Sequence, residues 1–166
     1  PDTAVETTPQ DDCGATAARP RPEITMIGSA HHYGVTVSDM DDALAFYRDT
    51  LGMEVVDELS FASEEFSKFV GVEGVDVDIV FLDADGCAVE LLEYHDPPGD
   101  DANRGVSNND VGAAHFCLEV DDLDATYEDL RSEGVEFINP PQTLDNGAEV
   151  AYVYDPDRNV IELLSE

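Results

Sequence analysis

Hydrophobic and polar positions along the chain fall into a pattern that occurs twice. HYGVTVSDMDDA begins at His32 and HFCLEVDDLDAT begins at His115. In each, a His opens a strand-like alternation, a Val follows five residues later (Val37, Val120), and an acidic turn leads into apolar residues at helical spacing. The first helix is predicted from Met40, Ala43, Leu44, Tyr47 and Leu51, the second from Leu123, Tyr127 and Leu130. Ser38 and Asp121 occupy the N-cap places, with Asp41 and Asp124 near the positive end of each helix dipole. Gly52 and Gly134 mark the helix ends. A strand is predicted after each helix, over Met53–Leu59 and Val135–Ile138. Each copy then closes with a hairpin: VDIVFLDADGCAVELLEY, with Asp85-Gly86 as its turn, and EVAYVYDPDRNVIELL.

This gives two units of strand, helix, strand, strand, strand, over about 28–95 and 113–166. The linker 96–112 is rich in Pro, Gly, Asn and Asp, and residues 1–23 are predicted to be a disordered or loosely packed acidic tail. The folded domain is expected over 24–166.

One feature of the closing strands resists a purely structural explanation. Glu90 in AVELLEY and Glu162 in NVIELL interrupt apolar runs, seven residues after Asp83 and Asp155 respectively. An unpaired buried carboxylate is costly. Either each Glu meets an Arg or a surface edge, or it faces a cleft and holds a cation. The repeat favours the cation, because each Glu strand is matched by a first strand bearing a His. His32, Glu90, His115 and Glu162 together form a reasonable divalent metal site. Strand alternation places His31 on the face opposite His32, and His115 aligns with His32 while Ala114 aligns with His31. Tyr94 and Cys117 are expected on the same faces as Glu90 and His115.

Charge changes the picture of partners. The 166 residues carry 39 acidic and 7 basic side chains, a formal charge of -32. Such a chain does not suit nucleic acid or an anionic membrane, which need Lys and Arg to neutralise phosphates. The acid is spread along the chain, as in cytoplasmic proteins of extreme halophiles, and is expected to keep the protein hydrated in concentrated salt. No apolar run approaches membrane-spanning length, and residues 1–22 have only Val5 as a large apolar residue, so no signal peptide is expected. Cys13, Cys87 and Cys117 are too few and scattered for a disulfide framework, which fits a reducing cytoplasm.

The stretches HYGVTVSDMDDALAFYRDTLGMEV, AVELLEY, HFCLEVDDLDATYEDLRSEGVEF and DPDRNVIELL resemble the vicinal oxygen chelate superfamily, which includes glyoxalases, bleomycin-resistance proteins and ring-cleaving dioxygenases. The resemblance implies an α+β fold in which two βαβββ modules form a half-open β-barrel with helices outside. It implies a metal in the cleft, held from the positions of His32, Glu90, His115 and Glu162. Arg158 departs from the glycine usual in its turn, and Asn159 is expected to take the left-handed conformation instead.

With Glu at position 90, the resemblance implies a lyase or isomerase of glyoxalase I type. Glu162 is then the base that removes a proton next to a carbonyl, and Glu90 a ligand or second acid/base. One divalent ion per site is implied: Ni, Co, Zn or Mn. Alternatives are an Fe(II) ring-cleaving dioxygenase, a fosfomycin-type thiol transferase and a metal-free binding module. The expected partners are a small-molecule substrate and a second copy of the chain in a homodimer. Between residues 24 and 166 the basic side chains are Arg48, Lys68, Arg104, Arg131 and Arg158, few for a CoA ester.

Overall fold

The structure, a computed structural model, describes residues 28–166. The expected tail over 1–23 lies outside the described residues. Two four-stranded sheets carry the fold. The first contains β1 (His32–Val37), β2 (Val55–Phe61), β3 (Asp76–Asp83) and β4 (Ala88–Asp96), in the order β1-β4-β3-β2. The second contains β5 (His115–Glu119), β6 (Gln142–Thr143), β7 (Glu149–Tyr154) and β8 (Val160–Ser165), in the order β5-β8-β7-β6. In each sheet the His strand runs parallel to the Glu strand, and the remaining pairs are antiparallel. The fold is α+β, and the sheets stay open, as the half-open barrel requires.

Helix α1 (Met40–Leu44) continues as a π-helical stretch over Ala45–Thr50. There the Leu51 amide donates to the Phe46 carbonyl at 2.9 Å. Phe46 and Tyr47, adjacent in sequence, are both buried. Helix α3 (Leu123–Ser132) is the counterpart in the second half. The N-caps lie one residue beyond the expected positions. Asp39 accepts from the Asp42 amide at 3.0 Å, and Asp122 from the Ala125 amide at 2.9 Å. An Asp side chain three residues before an amide closes the cap turn, so Ser38 and Asp121 stay outside. Gly52 and Gly134 follow the helices at φ of +78° and +91°, as expected.

One element was not expected, and two expectations need correction. Helix α2 (Glu64–Val70), capped by Ser63, was not legible: it is short, and Phe66, Phe69 and Val70 give too little periodicity. The strand expected over Val135–Ile138 is reduced to a bridge between Phe137 and Val153, and β6 supplies the edge. In the last turn Arg158, not Asn159, takes the left-handed conformation, at φ +64°. Asn159 is committed elsewhere, because its amide and side chain both donate to Asp155.

A single core joins the two halves. Val35, Val37, Tyr47, Leu82, Val89 and Leu91 pack in one cluster with Leu123, Leu130, Val153, Ile161 and Leu163. In β1, β4 and β8 these residues alternate with the His and Glu positions. Side chains alternate between faces along a strand. The core therefore takes one face of each sheet and leaves the His–Glu face on the other. At the far end of the first sheet's His–Glu face, α2 covers a second cluster of Val75, Val77 and Ile79, backed by Phe61, Phe66, Leu92 and Tyr94. Tyr94 thus lies on Glu90's face and packs there.

Candidate functional site

Register brings each His to its Glu. In the first sheet Gly34 pairs with Glu90 and His32 with Ala88, so His32 stands two residues before Glu90's partner. In the second, Cys117 pairs with Glu162 and His115 with Val160, the same offset. His32 Nε2 is 3.3 Å from Glu90 Oε2, and His115 Nε2 is 3.0 Å from Glu162 Oε2. The Glu side chains are 15% and 22% exposed and the His side chains 39% and 43%. The carboxylates are therefore mostly sheltered rather than fully buried, with each imidazole at the mouth.

Gly34 explains how Glu90 reaches His32. A Cβ there would stand 3.1 Å from Glu90 Oε2, and the φ of Gly34 is not positive. Its value is space: the carboxylate can lie back across β1. An aromatic ring flanks each pair. Phe81, paired with Glu90 across the hairpin, meets His32 edge-on at 5.5 Å. Tyr152, paired with Glu162, lies 5.0 Å from the His115 ring, with its hydroxyl 3.5 Å from Nε2. Neither ring is obvious in the sequence. Phe81 is nine residues before Glu90 and Tyr152 ten before Glu162, so only the hairpin registers make them equivalent.

Burial, and then the Glu162 charge, raises the pKa of both the Tyr152 hydroxyl and the Cys117 thiol. Tyr152 therefore keeps its proton at neutral pH, with its hydroxyl near His115 Nε2. Cys117 stays a neutral thiol, a small lining group rather than a nucleophile.

Among the described residues, neither Glu90 nor Glu162 pairs with an Arg or Lys. Arg48 pairs with Asp49, Lys68 with Glu64, Arg131 with Glu128 and Arg158 with Glu136. Asn103 ties the linker to the last turn, donating to the Asp157 carbonyl at 3.1 Å and to Asn159 Oδ1 at 2.8 Å. The ionic partner of Glu90 is His32, and that of Glu162 is His115. Each pair offers one imidazole nitrogen and one carboxylate oxygen, a donor set that fits a divalent ion. The four residues do not converge within the chain: among the described residues no three metal-binding side chains cluster. His31 is not turned away from His32 as alternation suggested. It precedes β1, and its Nδ1 is 2.7 Å from His32 Nδ1.

Residues 29–163 match the Glyoxalase/Bleomycin resistance protein/Dioxygenase superfamily. The chain belongs to this superfamily. It is 30% identical over 137 residues to a probable lactoylglutathione lyase of Synechocystis sp., covering 80% of this chain and 92% of that one. It is 28% identical over 134 residues to the mitochondrial methylmalonyl-CoA epimerase of Mus musculus, covering 79% of this chain and 68% of that one. Among solved structures, a glyoxalase family protein from Bacillus cereus superposes with a TM-score of 0.74 at 20% identity, over 90% of this chain and 99% of that one. This last likeness concerns the fold. The two named enzymes differ in substrate, so membership supports enzyme chemistry on a small molecule and leaves the reaction to be argued from the site.

Proposed function

We propose that the protein is a metal-dependent lyase or isomerase of glyoxalase I type, which removes a proton next to a carbonyl of a small substrate. The observation that carries this reading is the His–Glu pair, built twice at equivalent register and each time without a Lys or Arg partner among the described residues. His32, Glu90, His115 and Glu162 would hold one divalent ion: Ni, Co, Zn or Mn. A bound ion would polarise the substrate carbonyl and stabilise negative charge developing on its oxygen.

The chain's own residues supply the rest. Glu162 is proposed as the base at the carbon, with Glu90 as ligand or second acid/base. Partial shelter and aromatic neighbours restrict the access of water to both carboxylates. The protonated Tyr152 hydroxyl, across the hairpin from Glu162, stands 3.5 Å from His115 Nε2 and backs that ring. Of the five basic residues between 24 and 166, Arg48, Lys68, Arg131 and Arg158 are each engaged by a neighbouring acid, Arg104 being the fifth. This supports a small carbonyl compound, or a thiol adduct of low charge, over a CoA ester. The protein is further proposed to work in the cytoplasm as a homodimer.

The deciding experiment is metal content of protein purified in high salt without chelator, with Glu162→Gln beside it. About one Ni, Co, Zn or Mn per site, reduced in the variant, supports the proposal. Metal-dependent exchange of a substrate C–H for solvent deuterium, lost in Glu162→Gln, identifies the base. Iron with O₂ uptake would instead select the ring-cleaving dioxygenase. No metal after reconstitution would leave a binding module.

A further inference from the structure

We propose that His31 is a positioning residue for His32, setting which of its ring nitrogens is free to bind a metal ion. This rests on the reading of His32 as a ligand. His31 lies one residue outside β1, yet its carbonyl accepts from the Ala88 amide at 3.0 Å, so its backbone is fixed against β4. The two imidazoles meet edge to face, with centroids 5.0 Å apart and planes at 86°. Their Nδ1 atoms are 2.7 Å apart. Two nitrogen lone pairs repel at that distance, so a proton lies between them and one ring donates.

The direction of that bond decides what Glu90 sees. If His31 donates, the neutral His32 ring carries its proton on Nε2 and donates across 3.3 Å to Glu90. If His32 donates, Nε2 carries a lone pair aimed at the carboxylate, an arrangement that calls for a cation between them. The empty pair therefore favours the first setting and the loaded pair the second. Passing from one to the other moves the shared proton from His31 Nδ1 to His32 Nδ1. The Nε2 proton of His32 goes to water, and His31 Nε2 gains one from water. The exposed His31 side chain can make that exchange with solvent. Phe81, edge-on to His32, restrains the ring meanwhile. The second pair has Ala114 at the corresponding position. The two halves thus differ: among the described residues only the His32 half has this imidazole partner on Nδ1.

The test uses Ni(II) as the probe and reads its affinity by competition with a chromogenic chelator. The full chain is compared with His31→Ala, His31→Phe and His31→Asn, each checked for an unchanged melting temperature. His31→Ala and His31→Phe are expected to weaken Ni(II) about 10- to 100-fold, as loss of an outer-shell partner does. His31→Asn, whose carboxamide both donates and accepts, is expected to stay within about 3-fold of the original. Nitrogen-15 shifts of His32 in the Zn(II)-loaded and metal-free chain supply a readout that packing alone would not move. Loading is expected to shift the proton from Nε2 to Nδ1. Wild-type affinity in His31→Ala and His31→Phe overturns the proposal, as does an Asn variant as weak as Ala. His32→Ala separates the two layers: if it too binds Ni(II) normally, the ligand assignment itself has failed.

Discussion

Asp155, rather than Glu162, is the carboxylate this fold buries, at 3% exposure. Its Oδ2 accepts from the Tyr47 hydroxyl at 2.9 Å and from Asn159 Nδ2 at 2.8 Å, and its Oδ1 from the Asn159 amide at 2.7 Å. Burial raises the Asp155 pKa above its ordinary value, while these donors work in the other direction. Burial, and then Asp155 itself, raises the Tyr47 pKa, so the hydroxyl remains a donor. The bond links the first half's helix to the second half's hairpin across the shared core. Tyr47→Phe removes one donor and keeps the ring, so it is expected to cost about 1.5–3 kcal/mol, the range for hydrogen bonds to charged groups. Asp155→Ala strands both Tyr47 and the Asn159 amide and is expected to cost more. Chemical denaturation in high salt measures both. Metal affinity should not change in Tyr47→Phe, because the ring lies on the core side of the sheets and the His–Glu pairs on the other. An equal loss of stability and metal affinity would place Asp155 in the functional machinery.

Elements meet at the far end of β3 and β4, where His95 Nε2 contacts Asp78 Oδ2 at 2.9 Å and Ser60 donates to the same carboxylate group. The Asp78 bond, with Glu93 adding to it, raises the His95 pKa. A His with a raised folded-state pKa stabilises fully below its unfolded value and loses that contribution as pH rises through the folded value. His95→Gln should therefore melt below the original protein at about pH 6, and the gap should close by about pH 9, given an ordinary His value near 6.5. A gap independent of pH would assign His95 a packing role.

Legibility in the sequence also divides at this scale. Long periodic features were readable: both main helices, the Asp85-Gly86 hairpin and the His–Glu pairing, because strand alternation and repeat alignment each confine a side chain to one face. Features set by tertiary geometry were not. Helix α2 is too short to show a period, the π-helical turn at Phe46 and Tyr47 is an adjustment to the core, and His31 escaped strand alternation by lying one residue outside it.

At the scale of the molecule, -32 charges crowd a small surface, so screening should decide stability. The Debye length falls from about 10 Å at 0.1 M salt to about 3 Å at 1 M. A melting temperature that climbs steeply with KCl is expected if the acid is a high-salt adaptation, and a flat response would remove that reading. The same scale holds the completion of the site. Within one chain, both halves give one sheet face to a common core and expose a His–Glu pair on the other. Two such pairs can share an ion if a second copy brings its His115–Glu162 face against the first chain's His32–Glu90 face. Two-fold symmetry then makes two equivalent sites per dimer, each drawing ligands from both chains. Mixing His32→Ala with His115→Ala tests this directly. In a shared arrangement each mixed dimer has one site with both lesions and one with none. Random pairing after refolding together should then restore about a quarter of the original Ni(II)-binding sites, since half the dimers are mixed and one site in two is intact in each. If each site formed within its own chain, every site in the mixture would keep one lesion and binding would stay at the level of the single variants.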